Sequence, residues 1–286
     1  MKIVFIGATG MLGKPVAKQL IAEGHELTLL GRNENKLKEL FPSATIIKAD
    51  VFDKTSLINA FTGQDAVYMN LSVDQASKEK QPQPERDGID NIIAAAKETG
   101  IKRLAGISSL VHLYQGMNGF DWWAFRIKKE AIKKIKSSGI AYTIFYPSTF
   151  METFPYQVMR GKKIAAMGKS LVPMYFIAAD DYAKQVARSF AILKDENKEY
   201  SVQGQDAYTF DQATKIFIAN YPKAKLSVMR VPFGLAKFMG IFSQKLNYVW
   251  HICEALNKYP EKFESQQTWN ELGKPATRLA DFAKNL

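Results

Sequence analysis

Three glycines near the start of the chain have the spacing of a phosphate-binding loop. In the stretch GATGMLG, residues 7–13, they directly follow an apolar run and precede a segment of helical pattern. There the first glycine permits a tight turn, the second lets the backbone approach a pyrophosphate and the third lets the helix pack on the strand, while the helix N-terminus offers free N–H groups. A structural turn that binds nothing is the alternative. Dinucleotide contacts are therefore expected at Gly7, Thr9, Gly10, Met11, Leu12 and Gly13.

The residues that follow the second strand indicate which dinucleotide binds. Sites for NAD usually place an acidic residue there to bind the ribose 2′-hydroxyl. This chain has LLGRN instead, with Arg32 at the strand end and Lys36 one turn into the next helix. Two cations suit a 2′-phosphate, so NADP(H) is favoured over NAD(H). Asp50, followed by Val51, closes the third strand and is expected to meet the adenine, although a carboxylate that caps the next helix would have the same pattern.

The elements that must position these residues alternate between strands and helices. Six short apolar runs, among them KIVFIG and HELTLLGR, are separated by segments of helical pattern. The alternation predicts an α/β fold, a Rossmann-type doubly wound parallel sheet with helices on both faces. Beyond Pro147 the pattern is less regular, with a helix at 180–193 and another that Thr209 could cap. We therefore expect a dinucleotide-binding core at 1–150 and a smaller C-terminal α/β lobe at 151–286, with some segments returning to the core.

Composition and charge argue against several other functions. The chain has 286 residues, 47% of them hydrophobic, and a formal net charge of +11. Its single cysteine, Cys253, cannot form an intramolecular disulfide, which favours a reducing, cytoplasmic setting. Three scattered histidines lack metal-ligand spacing, so no metal is expected. No apolar run has the length of a membrane span, and no nucleic-acid-reading motif accompanies the positive charge.

Motifs along most of the chain resemble one enzyme family. GATGMLG at 7–13, NLS at 70–72, ISS at 107–109 and YTIFYPSTFME at 142–152 stand in the order found in the atypical short-chain dehydrogenase/reductases. The resemblance is to the NmrA-like branch and to the NAD(P)-binding sugar-nucleotide epimerase-like proteins, and it is strongest up to residue 155. It implies a bound nicotinamide dinucleotide. It also implies cofactor contacts from Asn70, Leu71, Ser72, Ser108, Lys128 and Pro147.

The segment WAFRIKKEAIKKIK holds one lysine that differs from its neighbours. On a helical wheel Lys128 falls inside the apolar arc, whereas the other lysines fall outside it. A lysine in that position loses hydration unless it has a partner. The resemblance implies that the partner is the nicotinamide ribose, and a lysine that snorkels to water is the alternative. Family members with complete catalytic equipment carry a tyrosine where this chain has Ala124, so the usual proton donor is missing.

Other side chains could replace the missing tyrosine. Ser109 matches the serine that polarises a substrate carbonyl in complete members of the family, and His112 and Tyr114 follow on a nearby loop. Each also has a structural interpretation, because serines at strand ends often bond to backbone and loop residues can simply border a pocket. A quinone could accept hydride with solvent as the proton source. The predicted catalytic residues are Ser109, Lys128 and Tyr114.

The residues after the last strand of the core indicate what the pocket accepts. FMETFPYQVM is rich in aromatic rings and methionine, which suits an apolar or flat ligand better than a hydroxylated sugar. Packing between the two lobes would produce the same composition. The predicted substrate pocket consists of His112, Tyr146, Phe150, Met151 and Phe154.

Two functions fit these observations. The first is an NADP(H)-dependent oxidoreductase acting on a small apolar carbonyl or quinone. The second is a non-catalytic NADP(H)-binding redox sensor or scaffold with a protein partner, which the missing tyrosine favours. Peripheral membrane contact through the basic, aromatic run at 231–259 is favoured less, because a lid helix over an apolar pocket has the same composition. A nucleic-acid partner has no supporting motif.

Overall fold

A central parallel sheet organises the molecule, which a computed structural model describes at residues 1–192 and 196–286. The described strands are β1 (Lys2–Ile6), β2 (Glu26–Gly31), β3 (Thr45–Lys48), β4 (Ala66–Met69), β5 (Arg103–Ile107), β6 (Ala141–Pro147), β7 (Met159–Arg160), β8 (Lys163–Met167), β9 (Met174–Tyr175), β10 (Lys198–Val202), β11 (Ala207–Tyr208) and β12 (Ser227–Val231). Seven of them form one sheet in the order β10-β6-β5-β4-β1-β2-β3, and each neighbouring pair is parallel. The predicted Rossmann-type sheet is confirmed.

Helices cover both faces of this sheet. The described helices are α1 (Gly13–Ala22), α2 (Glu34–Leu40), α3 (Lys54–Phe61), α4 (Ile89–Thr99), α5 (Trp123–Lys136), α6 (Ala179–Ile192), α7 (Phe210–Asn220), α8 (Phe233–Gly240), α9 (Gln244–Lys258), α10 (Gln266–Leu272) and α11 (Leu279–Lys284). One apolar core joins the sheet to α1 and α6, and a second joins it to α3, α4 and α5. Leu193, the last residue of the helix predicted at 180–193, lies outside the described residues.

The central strands are apolar throughout because both faces of the sheet are buried. In β1 the side chains of Ile3, Val4 and Phe5 are fully buried, although successive side chains point to opposite faces. In the sheet, β2 and β3 lie on one side of β1, and the next strand along the chain, β4, lies on the other side of β1. The crevice at this reversal, outside the carboxyl ends of the strands, is where such sheets bind ligands.

Polar side chains set where several of the helices begin. Asp53 precedes α3, and its carboxylate accepts hydrogen bonds from the N–H groups of Thr55 and Ser56. Thr209 and Gln212 form a reciprocal capping box at the start of α7, which confirms the predicted cap. Such caps satisfy N–H groups that have no partner within the helix.

Segments on both sides of residue 150 contribute to the central layers. The strand β10 extends the sheet beside β6, and α6 packs against α1. The remaining C-terminal elements have their own core, in which Phe154 stacks on Phe217 with ring centroids 4.6 Å apart. The sheet β12-β8-β7 and the pair β11-β9 belong to this smaller lobe.

An aromatic cluster joins the lobe's long helix α9 to α5. It contains Tyr114, Phe120, Trp122 and Phe125, and Tyr248 of α9 packs edge-on against Trp122. This contact fixes α9 across the carboxyl edge of the sheet. Within 1–192 and 196–286, no helix combines the length and apolarity needed to cross a membrane.

Candidate functional site

A cavity of about 610 Å³ opens at the carboxyl ends of β1, β4, β5 and β6. The glycine loop forms one wall, and side chains from α5 and α9 form others. Of the predicted residues, the cavity is lined by Gly7, Thr9, Gly10, Met11, Leu12, Asn70, Leu71, Ser72, Ser108, Ser109, Lys128, Pro147 and Phe150. The topology therefore brings together residues that are far apart in the sequence.

The glycine loop is a close-packed backbone that leaves no room for side chains at two of its positions. A Cβ on Gly13 would lie 2.1 Å from the carbonyl oxygen of Gly7, and a Cβ on Gly7 would lie 2.3 Å from that of Asn70. Gly7 also adopts a φ of +88°, which disfavours other residues. Gly10 is less crowded, since its added Cβ would meet atoms at 3.4 Å. Gly13 packs the helix against the loop and does not line the cavity.

A neighbouring cavity of about 340 Å³ extends the cleft past Gly7 toward β2 and β3. Asp50 and Val51 line it, as does the loop that contains Asp74 and Pro82. The Asp50 carboxylate accepts a hydrogen bond from the N–H of Phe52, 3.1 Å away, so it also shapes its own turn. Contact between Asp50 and an adenine stays a prediction.

The outer end of the cleft carries positive charge. Arg32 is exposed and borders a small pocket together with Asn33, Glu34 and Lys48, so two cations and one carboxylate meet there. The sequence did not predict Lys48 as a residue of this site. Lys48 ends β3 and lies directly opposite Gly31 in the sheet register. Lys36 is exposed on α2 and does not line this pocket; its backbone N–H donates to the capping Asn33.

Ser108 places a buried hydroxyl on the cavity wall. Its Oγ is buried and has no hydrogen-bond partner within the described residues, although the residue lines the cavity. A buried hydroxyl without a partner costs free energy, so a bound group that accepts or donates there would be stabilised. Together with the glycine cradle, this orphaned atom fits the dinucleotide that the sequence predicts.

Lys128 lies on the cavity wall in an ion pair that the sequence did not reveal. Its ammonium contacts the carboxylate of Glu85, and both side chains are largely buried. The other carboxylate oxygen of Glu85 accepts from the N–H of Val73 at 3.0 Å. Glu85 therefore holds the lysine at the cavity, while contact between Lys128 and a ribose stays a prediction.

The position of the missing tyrosine belongs to the aromatic cluster. Ala124 is buried one helical turn before Lys128, in the same cluster as Trp122 and Phe125. Tyr114, predicted as a catalytic residue, is buried in the same cluster with its ring 4.9 Å from that of Phe120. It does not line the cavity, which corrects that prediction: its ring serves as apolar core.

Glu261 is a cavity residue that sequence reasoning missed. One carboxylate oxygen accepts from the hydroxyl of Ser148 at 2.8 Å, and the other accepts from the Gln203 amide at 2.6 Å. Burial raises the pKa of Glu261 to about 7. A carboxyl group on the cavity wall that titrates near neutral pH can deliver a proton. No local motif marks it, because it follows an ordinary helix end more than a hundred residues from its partner Ser148.

The inner end of the cavity is apolar. Phe150 and Met174 line one side, and Tyr248, Ile252 and Leu256 line it from α9. Two predicted pocket residues are corrected here, since Met151 and Phe154 are buried in the core of the smaller lobe. The structure supports the alternative interpretation for Met151 and Phe154, in which both side chains pack in the core and do not contact a substrate.

His112 and Tyr146 face a different cavity, of about 710 Å³, on the other side of the β5–α5 connection. Their rings stack 5.9 Å apart, and the Tyr146 hydroxyl donates to Glu199 at 2.7 Å. Burial lowers the pKa of His112 to about 4, so its imidazole is neutral at physiological pH. The prediction that these two residues line the substrate pocket is corrected.

Comparison with known proteins decides the family. A sequence-family profile described as NAD(P)H-binding matches residues 7–191. The chain belongs to this NAD(P)H-binding family. The match covers the glycine loop, the cavity wall at Ser108 and the lysine at 128, and it confirms the resemblance that the motifs indicated.

Two relatives of this protein are named for different functions. It is 23% identical over 264 residues to the photosystem II assembly factor Ycf39 of Synechocystis sp. (strain ATCC 27184 / PCC 6803 / Kazusa), covering 90% of this chain and 78% of that protein. It is 28% identical over 217 residues to quinone oxidoreductase 2 of Escherichia coli (strain K12), covering 73% and 71%.

Solved structures confirm the shared fold. The NADPH complex of the quinone oxidoreductase QOR2 from Escherichia coli matches with a TM-score of 0.78 at 21% identity, over 99% of each chain. A nucleoside-diphosphate-sugar epimerase from Staphylococcus aureus matches with a TM-score of 0.76 at 21% identity, over 99% of this chain and 100% of that one. The NAD(P)H-binding protein described here thus shares its architecture with both enzymes.

Proposed function

We propose that this protein is an NADPH-dependent oxidoreductase that reduces a small, flat, apolar acceptor such as a quinone. The observation that carries the proposal is one continuous cleft with three chemically different parts. Cations lie at its outer end, the glycine loop at its middle, and an apolar chamber with the Glu261 carboxyl at its inner end. A dinucleotide with a 2′-phosphate matches the first two parts, and a reducible acceptor matches the third.

The cofactor end explains the choice of NADPH. Arg32 and Lys48 would hold the 2′-phosphate, since a guanidinium and an ammonium bind phosphate oxygens through charge-assisted hydrogen bonds. The N–H groups at the start of α1 would bind the pyrophosphate. Ser108 and Lys128 would contact the nicotinamide half, because both line the cavity beyond the glycine loop. A bound NADPH supplies the hydride for the reaction.

The acceptor end favours a flat ring over a sugar. The chamber between Phe150 and α9 presents aromatic and aliphatic surface from Phe150, Ile252 and Leu256, and a flat ring would pack against that surface. A quinone is planar and has two carbonyl oxygens, so one or two polar contacts suffice. The relative named quinone oxidoreductase 2 supports this substrate class.

Glu261 provides the proton that the family's tyrosine would otherwise supply. Conversion of a quinone to a hydroquinone consumes one hydride and one proton. The hydride adds to the quinone ring system, and the proton passes from the Glu261 carboxyl to the quinone oxygen. Ser148 and Gln203 then stabilise the resulting carboxylate through the hydrogen bonds that they already make. Water returns a proton to Glu261 before the next cycle.

A second candidate function is a non-catalytic sensor of the NADPH state. Two observations favour it: Ala124 stands where the family's tyrosine would be, and some relatives are named as assembly factors. In this case Glu261 would shape the cavity without donating a proton. Both functions include the proposed binding of NADPH.

Steady-state oxidation of NADPH separates the two functions. The purified protein is mixed with NADPH and a panel containing benzoquinones, naphthoquinones, aldehydes and a nucleotide sugar. The proposal predicts turnover with at least one quinone and little with the nucleotide sugar. Tight NADPH binding without turnover of any acceptor would contradict the oxidoreductase and leave the sensor.

A further inference from the structure

Helix α8 and the turn that follows it present large apolar side chains to solvent. Leu235, Phe238, Met239 and Phe242 recur at the spacing that places them on one face of a helix, and Ile241 stands beside them. Phe238 is 61% exposed, Ile241 70% and Phe242 78%. The rings of Phe238 and Phe242 contact each other edge to face, 5.6 Å apart. We call these five residues the α8 patch.

The inner side of α8 is built from small residues, so the helix does not hide its large ones. Ala236 and Gly240 are buried, and a Cβ on Gly240 would lie 2.8 Å from the ring of Trp250 in α9. The close approach of α8 to α9 therefore depends on small side chains. A contiguous exposed patch of this kind marks an interaction site in soluble domains.

The stretch of chain that contains the patch is basic, which favours an anionic partner. Between Asp211 and Glu254 the sequence contains six basic residues and no acidic residue. Lys223, Lys225 and Lys245 are exposed and make no ion pair within the described part of the chain. Arg230 and Lys237 pair with the two acids at the ends of this stretch. An anionic surface would complement the unpaired lysines.

We propose that the α8 patch, together with the basic residues of the same stretch of chain, binds the surface of an anionic lipid bilayer. Phe238, Ile241 and Phe242 enter the interface between headgroups and acyl chains, and the lysines contact the lipid phosphates. The combination of exposed aromatic and aliphatic side chains with basic residues in the same stretch of chain is typical of interfacial helices. The inference does not depend on the proposed reaction.

Binding in this way brings the membrane close to the cavity. Helix α9 packs against α8 on one side and lines the cavity through Tyr248, Ile252 and Leu256 on another. A bilayer beneath α8 therefore lies next to the helix that covers the apolar chamber. An apolar acceptor dissolved in that bilayer would have a short path to the site.

Vesicle co-sedimentation of the full chain tests the proposal. The protein is mixed with vesicles of phosphatidylcholine alone or of phosphatidylcholine with phosphatidylglycerol, at low and high salt. We expect at least roughly tenfold tighter binding to the anionic vesicles, weakened by salt because exposed charges are screened. The double variant Phe238→Ser/Phe242→Ser should lose about tenfold or more of this binding, whereas Tyr156→Ser, at another exposed ring, should keep it.

Charge variants and a mass measurement complete the test. Lys225→Glu/Lys245→Glu should weaken binding, and Lys97→Glu/Lys102→Glu, with the same change in net charge at exposed sites elsewhere, should not. Failure of the wild-type protein to bind anionic vesicles at low salt would overturn the proposal. Light scattering that shows a dimer dissolved by Phe238→Ser/Phe242→Ser, with no vesicle binding, would also overturn it and assign the patch to a second copy of the chain.

Discussion

At the scale of single residues, the chemistry of this site depends on charges and hydroxyls that come from separate parts of the chain. Ser108 and Lys128 were predicted from the sequence because the motif and the helical wheel each contain local information. Glu85, Lys48 and Glu261 were not, since each becomes part of the site only through contacts across the sheet or between lobes. A pattern read along the chain does not report such contacts.

Replacement of Glu261 tests the proton donor. Glu261→Gln keeps the size of the side chain and removes the transferable proton, so the rate of quinone reduction should fall by roughly a hundredfold with little change in NADPH affinity. Tyr248→Phe is the matched control, because it removes another cavity hydroxyl whose pKa burial raises to about 12. A larger loss in Tyr248→Phe than in Glu261→Gln would assign the proton to the tyrosine.

The same carboxyl predicts a pH dependence of rate and of stability. With a pKa of about 7 in the folded state, Glu261 loses its proton as the pH rises through neutrality, and wild-type turnover should decline there. The folded protein also holds this proton between about pH 4.5 and 7 while the unfolded chain releases it, so this group's contribution to the free energy of unfolding falls across that window, by roughly 1–3 kcal/mol. Urea unfolding of Glu261→Gln should lack this component.

The proposed preference for NADPH should depend on Arg32 and Lys48. Arg32→Asp removes one charge-assisted bond to the 2′-phosphate and adds a repulsive carboxylate, so NADPH affinity should fall by at least about tenfold while NADH affinity changes little. Lys48→Ala should have a smaller effect of the same sign. Both affinities can be measured by nicotinamide fluorescence, and an unchanged NADPH to NADH ratio in Arg32→Asp would refute the assignment.

Lys128 should act differently from the adjacent lysine. Lys128→Ala leaves the buried Glu85 carboxylate without its cation, so the protein should lose roughly 3 kcal/mol of stability and bind NADPH at least about tenfold more weakly. Lys129→Ala, at an exposed position outside the cavity, should change neither quantity much. Glu85→Gln removes the ion pair but keeps the lysine, so it should lower stability while weakening NADPH binding less than Lys128→Ala does. Equal NADPH affinities in Lys128→Ala and Lys129→Ala would contradict the cofactor contact.

At the scale of elements, the strand–turn–helix at the start of the chain could be predicted in detail. Its turn, its helix start and its parallel neighbour follow from short-range patterns and from the burial of both sheet faces. The segments after residue 150 were harder to predict, because FMETFPYQVM has a composition that suits a pocket and a core equally. Phe150 lines the cavity and Phe154 lies in the core, a difference set by the direction of the chain after β6.

Three glycine variants test the element that holds the dinucleotide. Gly13→Ala places a methyl group against the Gly7 carbonyl, so it should destabilise the fold by about 1–3 kcal/mol and abolish NADPH binding. Gly10→Ala should keep most of the stability and weaken NADPH binding, because its methyl group occupies the cradle at ordinary contact distance. Gly234→Ala, in open space on α8, should leave binding unchanged. Stability is measured by urea unfolding and binding by fluorescence; full NADPH affinity in Gly13→Ala would refute the role of the loop.

At the scale of the whole molecule, a Rossmann-type core and a smaller lobe enclose one cleft between them. The fold and family followed from the alternation of elements and from the motifs, whereas the exposure of the α8 patch required the structure. In the sequence, the run at 231–259 suits either a lid or a surface that binds lipid. In the structure α9 lines the cavity and α8 carries the exposed patch, so the two helices divide these properties.

The most direct test of the central claim is a single turnover of NADPH bound to the protein. Protein in excess over NADPH is mixed rapidly with a naphthoquinone, and the fluorescence of the bound nicotinamide is followed, with NADPH deuterated at the transferred position as a second sample. The proposed reaction predicts rapid loss of fluorescence, formation of hydroquinone in equal amount, and a slower reaction with the deuterated cofactor. Bound NADPH that keeps its fluorescence in the presence of every quinone tested would contradict it.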